Sequence, residues 1–196
     1  MSLKLLIVRA IYRLKSLRED PLEIFRELGV ESTDQILEIG CAIGYHTLAL
    51  AELVRDREGK IYAVDIWEEG LKFLQSRIAL GQAVELICRS AEELELPRGS
   101  LDKIFCFDTL HELPHPEKAV RRWADLPKED GRFYFKDPKI SPEQVEQLSN
   151  GRLRRVKSIR GITIFAPQTM KEKKRKERRD AYDQADLGCD AYREKP

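Results

Sequence analysis

Three acids and a pair of glycines mark where this sequence could do chemistry. Glu38, Asp65 and Asp108 stand at the ends of three short apolar runs, and Gly40 and Gly44 bracket a tight loop directly after the first. Glycine tolerates positive φ and puts no side chain between backbone and ligand, so such a loop lets the main chain come close to a bound group. The segment after the loop reads as a helix, whose first N–H groups lack intrahelical partners and can meet an anion. Asp65 follows the loop by the interval of a ribose-binding acid, and a carboxylate there can accept both hydroxyls of an unphosphorylated ribose. Together these residues point to a nucleotide-like ligand. Asp108, Thr109, His111 and Glu112 follow the third of the runs, and His111 is the natural base candidate because its ordinary pKa lies near neutrality.

A dinucleotide fits the loop poorly. Its fingerprint needs glycines at positions 42 and 45, and the chain has Ala42 and Tyr45 there. The spacing is instead acid-x-Gly-x-small-x-Gly, from Glu38 through Gly40 and Ala42 to Gly44. An acid at the loop entrance repels a pyrophosphate and suits a cationic amine.

These residues need elements to hold them. Apolar runs at 35–39, 60–65, 84–88, 101–107 and 131–136 read as strands, and helical stripes separate them, with helices expected at 21–28, 45–54, 68–79, 116–126 and from Pro142 to near Asn150. That alternation predicts an α/β domain with a largely parallel sheet. In such a sheet ligands bind beyond the carboxyl ends of the strands, where Glu38, Asp65 and Asp108 lie. The last two strands, 153–159 and 162–165, are joined only by Arg160-Gly161, a link too short for a parallel crossover, so they form an antiparallel hairpin. The organisation is an N-terminal amphipathic helix over 1–20 that packs on the domain or lids its pocket, a domain over 21–168, and a polar, charged tail over 169–196.

Leu37-Glu-Ile-Gly-Cys-Ala-Ile-Gly44 resembles the first motif of the class I S-adenosylmethionine-dependent methyltransferases, and Val64-Asp-Ile66 resembles the second. Ser90-Ala-Glu-Glu-Leu-Glu-Leu-Pro97 is similar to the third segment, with Ser90 where Asp is usual, and Phe105-Cys-Phe-Asp-Thr-Leu-His-Glu-Leu-Pro114 to the fourth. The resemblance runs from about Pro21 to Phe165. It implies a three-layer α/β/α Rossmann-like fold with seven strands in the order 3-2-1-4-5-7-6, ending in the antiparallel hairpin. It implies S-adenosyl-L-methionine as cofactor and S-adenosyl-L-homocysteine as product. It places Glu38 on the ammonium and Gly40, Cys41, Ala42 and Gly44 in the loop against the cofactor, with backbone N–H groups meeting its carboxylate. Asp65 would hold the ribose, Ile66 the adenine face, and Ser90, Ala91 and Glu92 the adenine edge. Asp108 would lie at the cofactor and, with His111, at the methyl acceptor. Ala42 stands where glycine is commoner, with minor effect expected.

The rest of the chain narrows the acceptor less. A net charge of +1 gives no global pull towards nucleic acid or membrane. The signature of adenine and glutamine methylation is absent, because Asp108-Thr-Leu-His111 stands in its place. No paired metal-binding acids and no cysteine pair at metal-ligand spacing occur, so no metal is expected. Cys41, Cys88, Cys106 and Cys189 read as free thiols of a cytoplasmic protein, the first three as buried. No segment is long and apolar enough to span a membrane. The first acid is Glu19, which leaves an organelle transit peptide open. The first reading is a small-molecule methyltransferase. The alternatives are an RNA or protein methyltransferase that uses Arg152, Arg154, Arg155, Lys157, Arg160 and the basic run Lys171–Arg179 to hold RNA or an acidic partner, a non-catalytic cofactor-binding module, and, more distantly, an NAD enzyme. The oligomeric state is not legible.

Overall fold

Alternating apolar side chains place every central strand between two layers of helices. The computed structural model describes residues 2–56, 58–79 and 82–168. Its seven strands are β1 (Gln35–Ile39), β2 (Lys60–Asp65), β3 (Val84–Cys88), β4 (Leu101–Phe107), β5 (Pro127–Lys136), β6 (Leu153–Ile159) and β7 (Ile162–Pro167). They form one sheet in the order β3-β2-β1-β4-β5-β7-β6. The first five run parallel, and β7 is antiparallel to both β5 and β6. The expected topology and hairpin are therefore present. Arg160 and Gly161 both adopt positive φ, 49° and 75°, the conformation that a two-residue hairpin loop of matching twist requires.

Period-two alternation explains the two cores. Leu37 and Ile39 of β1, Ile104 and Cys106 of β4, and Phe133 and Phe135 of β5 join Trp123 of α5 (Pro116–Trp123) and Val145 of α6 (Pro142–Leu148) on one face. Ile36, Phe105 and Tyr134 point the other way, to Phe25 of α2 (Pro21–Glu27), Leu50 of α3 (Thr47–Leu53) and Leu74 of α4 (Glu68–Gln75). Burial on both faces is what a parallel sheet demands of its sequence. The capping box predicted at Ser141 and Gln144 is formed, and it starts α6.

Several boundaries differ from the sequence expectation: β5 begins at Pro127 rather than Gly131, and α5 ends at Trp123 rather than Leu126. Helix α3 begins at Thr47 rather than Tyr45, because 42–46 form a continuous turn that Gly44 enters at φ 84°. Helix α4 ends at Gln75, four residues short of the expected end. Cys41 and Cys106 are buried, whereas Cys88, at the end of edge strand β3, is exposed. The expectation of burial fails there because an edge strand is covered on fewer sides.

The first helix, α1 (Leu3–Lys15), lies across the carboxyl ends of the strands. It is attached by aromatic and ionic contacts. Tyr12 stacks on Tyr45 with centroids 5.0 Å apart, Lys4 sits over the Trp67 ring, Lys15 Nζ lies 3.5 Å from Asp108 Oδ2, and the Ser2 hydroxyl donates to Glu69.

Candidate functional site

Strand order reverses between β1 and β4, and the loops after β1, β2 and β4 meet there. They enclose a cavity of ≈540 Å³ lined by Gly40, Ala42, Asp65, Ile66, Trp67, Ser90, Ala91, Asp108 and Thr109, among others. Helix α1 adds Lys4, Val8, Tyr12 and Lys15 as a roof. A cleft at the switch point of an α/β sheet is where such folds bind ligands.

The loop after β1 is shaped by the protein itself. Gly40 and Cys41 both donate N–H to Val64 O, Gly44 donates to Cys41 O at 2.8 Å, and Ala42 N–H donates to Asp65 Oδ2 at 2.7 Å. Four N–H groups expected to meet a ligand anion are thus engaged internally. A Cβ at Gly40 would overlap the Thr109 hydroxyl, and one at Gly44 would overlap Leu74. Both glycines are therefore required by side chains of the protein as well as by positive φ. Ala42 sits at φ 47°, a left-handed conformation that is strained for any residue with a Cβ. Asp108 does the same at φ 53°, at the end of β4.

Asp65 ties the loop to the cavity floor. Its second oxygen accepts the Trp67 N–H at 2.8 Å. Each carboxylate oxygen has two lone pairs, so acceptor capacity remains for ribose hydroxyls. Ile66 is an apolar side chain left 74% exposed at the cavity wall, a surface that a flat ring would cover.

Glu38 lies beneath the loop, on the α3 face of the sheet. It is 4% exposed, and its Oε2 has no hydrogen-bond partner; the nearby Thr47 hydroxyl is also buried and unpartnered. Burial pushes the Glu38 carboxyl up to about 7; the Thr47 hydroxyl is near enough to oppose that shift but is not in hydrogen-bonding geometry, and the charge of Asp65 adds to the rise. The Tyr12 hydroxyl is raised to about 12, first by burial and then by the fields of Glu38, Asp108 and Asp65. Glu38 lies behind the cavity lining rather than in it, and on the wall itself Lys4, Lys15 and Arg89 stand among Asp65, Asp108 and Glu112.

The remaining predicted residues divide. Ser90 and Ala91 line the cavity. Cys41 is buried under the loop, and burial raises its thiol pKa, so it offers no reactive thiolate. Gly44 faces a second hollow, between α1, α3 and α4. Glu92 instead accepts the His115 N–H, at 2.5 Å. His111 is not among the residues lining the cavity. Its Nδ1 lies 2.9 Å from Asp137 Oδ2, and its backbone N–H donates to the same oxygen. Asp137 Oδ1 accepts from the N–H groups of Lys139 and Ile140. Burial opposes ionisation of Asp137, but these hydrogen bonds outweigh it and hold the carboxyl below its ordinary value.

Sequence reasoning passed over His46 and Tyr12 as cavity residues. His46 packs against Phe25, Tyr45 and Phe107, and lines the cavity as a neutral ring whose pKa falls to about 3, through burial and then the charges of Lys15 and Lys136. Tyr12 carried no local signal, because its place depends on where α1 docks. Among the described residues no group of three His, Cys, Asp or Glu side chains could hold a metal ion, and no helix is long and apolar enough to cross a membrane. Lys171–Arg179 lies outside the described residues.

A family model described as a methyltransferase domain matches residues 37–135. The chain is 30% identical over 104 residues to a ubiquinone biosynthesis O-methyltransferase of Chromobacterium violaceum, covering 52% of this chain and 43% of that one. It is 29% identical over 141 residues to the uncharacterized methyltransferase YcgJ of Bacillus subtilis, covering 69% and 54%. The chain thus spans about half the length of these curated relatives. A SAM-dependent methyltransferase of Aquifex aeolicus shares the fold, with a TM-score of 0.61 and 23% identity over 79% of this chain and 96% of that one.

Proposed function

The chain belongs to the class I S-adenosylmethionine-dependent methyltransferase family, and on that premise we propose that it methylates a small molecule in the cavity beneath α1. The residues present fit the cofactor. The orphaned, buried Glu38 oxygen is suited to the ammonium, directly or through a water. Asp65 keeps acceptor capacity for the ribose, and Ile66 and Ala91 supply apolar surface for the adenine. With four loop N–H groups engaged internally, Lys15 on the roof takes the part of carboxylate partner expected of the loop. Bound S-adenosylmethionine supplies an electrophilic methyl group on a sulfonium.

The protein's own contribution is to align and to dry. Tyr12, Val8 and Lys15 close the cavity from above and exclude water, while Thr109 and Asp108 fix its floor at the end of β4. Asp108 is the carboxylate we place against an acceptor hydroxyl, oriented by Lys15 at 3.5 Å. Support for an oxygen acceptor comes from the O-methyltransferases among the relatives. We assign His111 the positioning of the 108–114 turn through its anchor on Asp137, rather than proton transfer at the acceptor.

The roofed cavity carries this reading. Its ≈540 Å³ is of the size that holds small ligands, and a macromolecular acceptor would need α1 displaced. On the hairpin Arg152 pairs with Asp125, Arg155 with Glu143, and Arg160 with Glu27, so much of the basic surface expected to hold nucleic acid is already neutralised. Titration calorimetry with S-adenosylmethionine, followed by transfer of labelled methyl into a cell extract, tests the reading. Label in the small-molecule fraction is expected. Label in RNA or protein would overturn it in favour of a macromolecular acceptor. Binding without transfer would leave a cofactor-binding module.

A further inference from the structure

Helix α1 has two faces, and the cavity uses one. Leu5 is buried, and Val8, Tyr12 and Lys15 look onto the cavity. On the opposite side Leu3, Leu6, Ile7, Ile11 and Leu14, with Leu17 in the turn just after the helix, are between 45% and 78% exposed. Their spacing of three and four residues gathers them into one stripe. Among the described residues only Ile66 and Val156 are other large hydrophobic side chains left so exposed, and Ile66 belongs to the cavity. Isolated exposed apolar residues need no explanation, but a contiguous stripe marks an interaction surface.

The charge beside the stripe is of one sign. Arg13 and Arg18 are exposed beside it, Lys4 and Arg9 turn back over the Trp67 and Phe73 rings, and no acid occurs before Glu19. We propose that the outer face of α1 seats this protein on an anionic lipid surface, with the leucine and isoleucine stripe in the interface and the flanking cations at the lipid phosphates. A short helix with an apolar stripe and basic flanks lies in the interface plane rather than across the bilayer. A second copy is the poorer occupant. A two-fold contact through this helix would set its basic flanks against their own counterparts, with no acid on α1 to pair them. Residues 169–196 contribute a single leucine and no isoleucine, valine or phenylalanine, so they offer little apolar surface to cover it.

The proposal concerns the outer face alone and does not rest on the methyl-acceptor reading. Its test is co-sedimentation of the full chain with vesicles of phosphatidylcholine or of an equal mixture of phosphatidylcholine and phosphatidylglycerol. Binding to the mixed vesicles is expected, weaker to phosphatidylcholine alone and weaker at high salt. The double substitution Ile7→Asp with Leu14→Asp should lower partitioning by about tenfold or more, because two apolar anchors are lost. Arg13→Glu with Arg18→Glu should act on the mixed vesicles only. Leu3→Gln with Leu17→Gln, at the helix ends, is a milder pair that reads out the stripe if the aspartates unwind α1. A wild-type chain that stays in the supernatant with mixed vesicles overturns the proposal. So does binding that neither stripe variant reduces. Self-association lost in Ile7→Asp with Leu14→Asp, without vesicle binding by the wild type, would assign the stripe to a second copy.

Discussion

Two buried carboxylates, at the ends of β1 and β5 on either side of β4, have opposite fates. Glu38 of β1 is 4% exposed and has an oxygen without a partner, and its pKa is driven up. Asp137, just past β5, has a fully buried side chain and is pulled down by the His111 ring and the backbone N–H groups of Lys139 and His111, while a third N–H, of Ile140, also donates to it. Burial is common to both, so burial does not separate a binding group from a structural one. Satisfaction does. A buried carboxylate saturated with donors stabilises its own loop, whereas an unsatisfied one carries a desolvation cost that a proton or a cationic ligand can offset.

Substitution at each carboxylate tests the difference. The largest effect is expected at Asp137. Asp137→Ala strands three N–H donors and should cost about 3–5 kcal/mol, read as a fall in the urea midpoint. A cost near that of a surface substitution would mean that these donors find other acceptors and that the 108–114 turn has no anchor there.

Glu38 should respond with the opposite sign. Its carboxyl moves from 4.5 to about 7 on folding. Between those values the folded chain keeps a proton that the unfolded chain has lost, so stability falls as pH rises through the window. Glu38→Gln should remove that slope and stabilise the ligand-free protein by about 3 kcal/mol above it. The same change should weaken S-adenosylmethionine binding by about tenfold or more, through loss of a charge-assisted contact. A variant that gains stability and keeps its affinity would place the ammonium elsewhere.

A smaller effect is expected on the roof. Tyr12→Ala removes the stack on Tyr45 and should cost about 0.5–1.5 kcal/mol in cofactor affinity, seen as faster dissociation in stopped flow. Unchanged dissociation would show that α1 does not close over the bound cofactor. The smallest effect is at Ala42, whose φ of 47° suits glycine. Ala42→Gly should raise stability by about 0.5–1 kcal/mol, strain relief being offset in part by a more flexible unfolded chain. Differential scanning calorimetry would detect it, and a fall in melting temperature would contradict the strained geometry.

The sheet was legible because period-two apolar runs and helical stripes are local properties of the chain. So were the capping box at Ser141 and the hairpin at Arg160-Gly161. The loop residues were recognisable by type and spacing, but their partners were not. Nothing local says that Gly40 is pressed by Thr109, that Ala42 donates to Asp65, or that His111 turns to Asp137. Each of these is a contact between segments tens of residues apart.

The order of elements, the loop at the switch point, and the acids Glu38, Asp65 and Asp108 at strand ends are all written along the chain. Periodicity and residue type are written along the chain, and the sheet follows from them. Which acid is left without a partner, which N–H groups are already engaged, and which face of α1 looks inward emerge from the folded arrangement alone. Those outcomes depend on what burial brings together across the fold, because hydrogen bonding and desolvation are settled by neighbours in space.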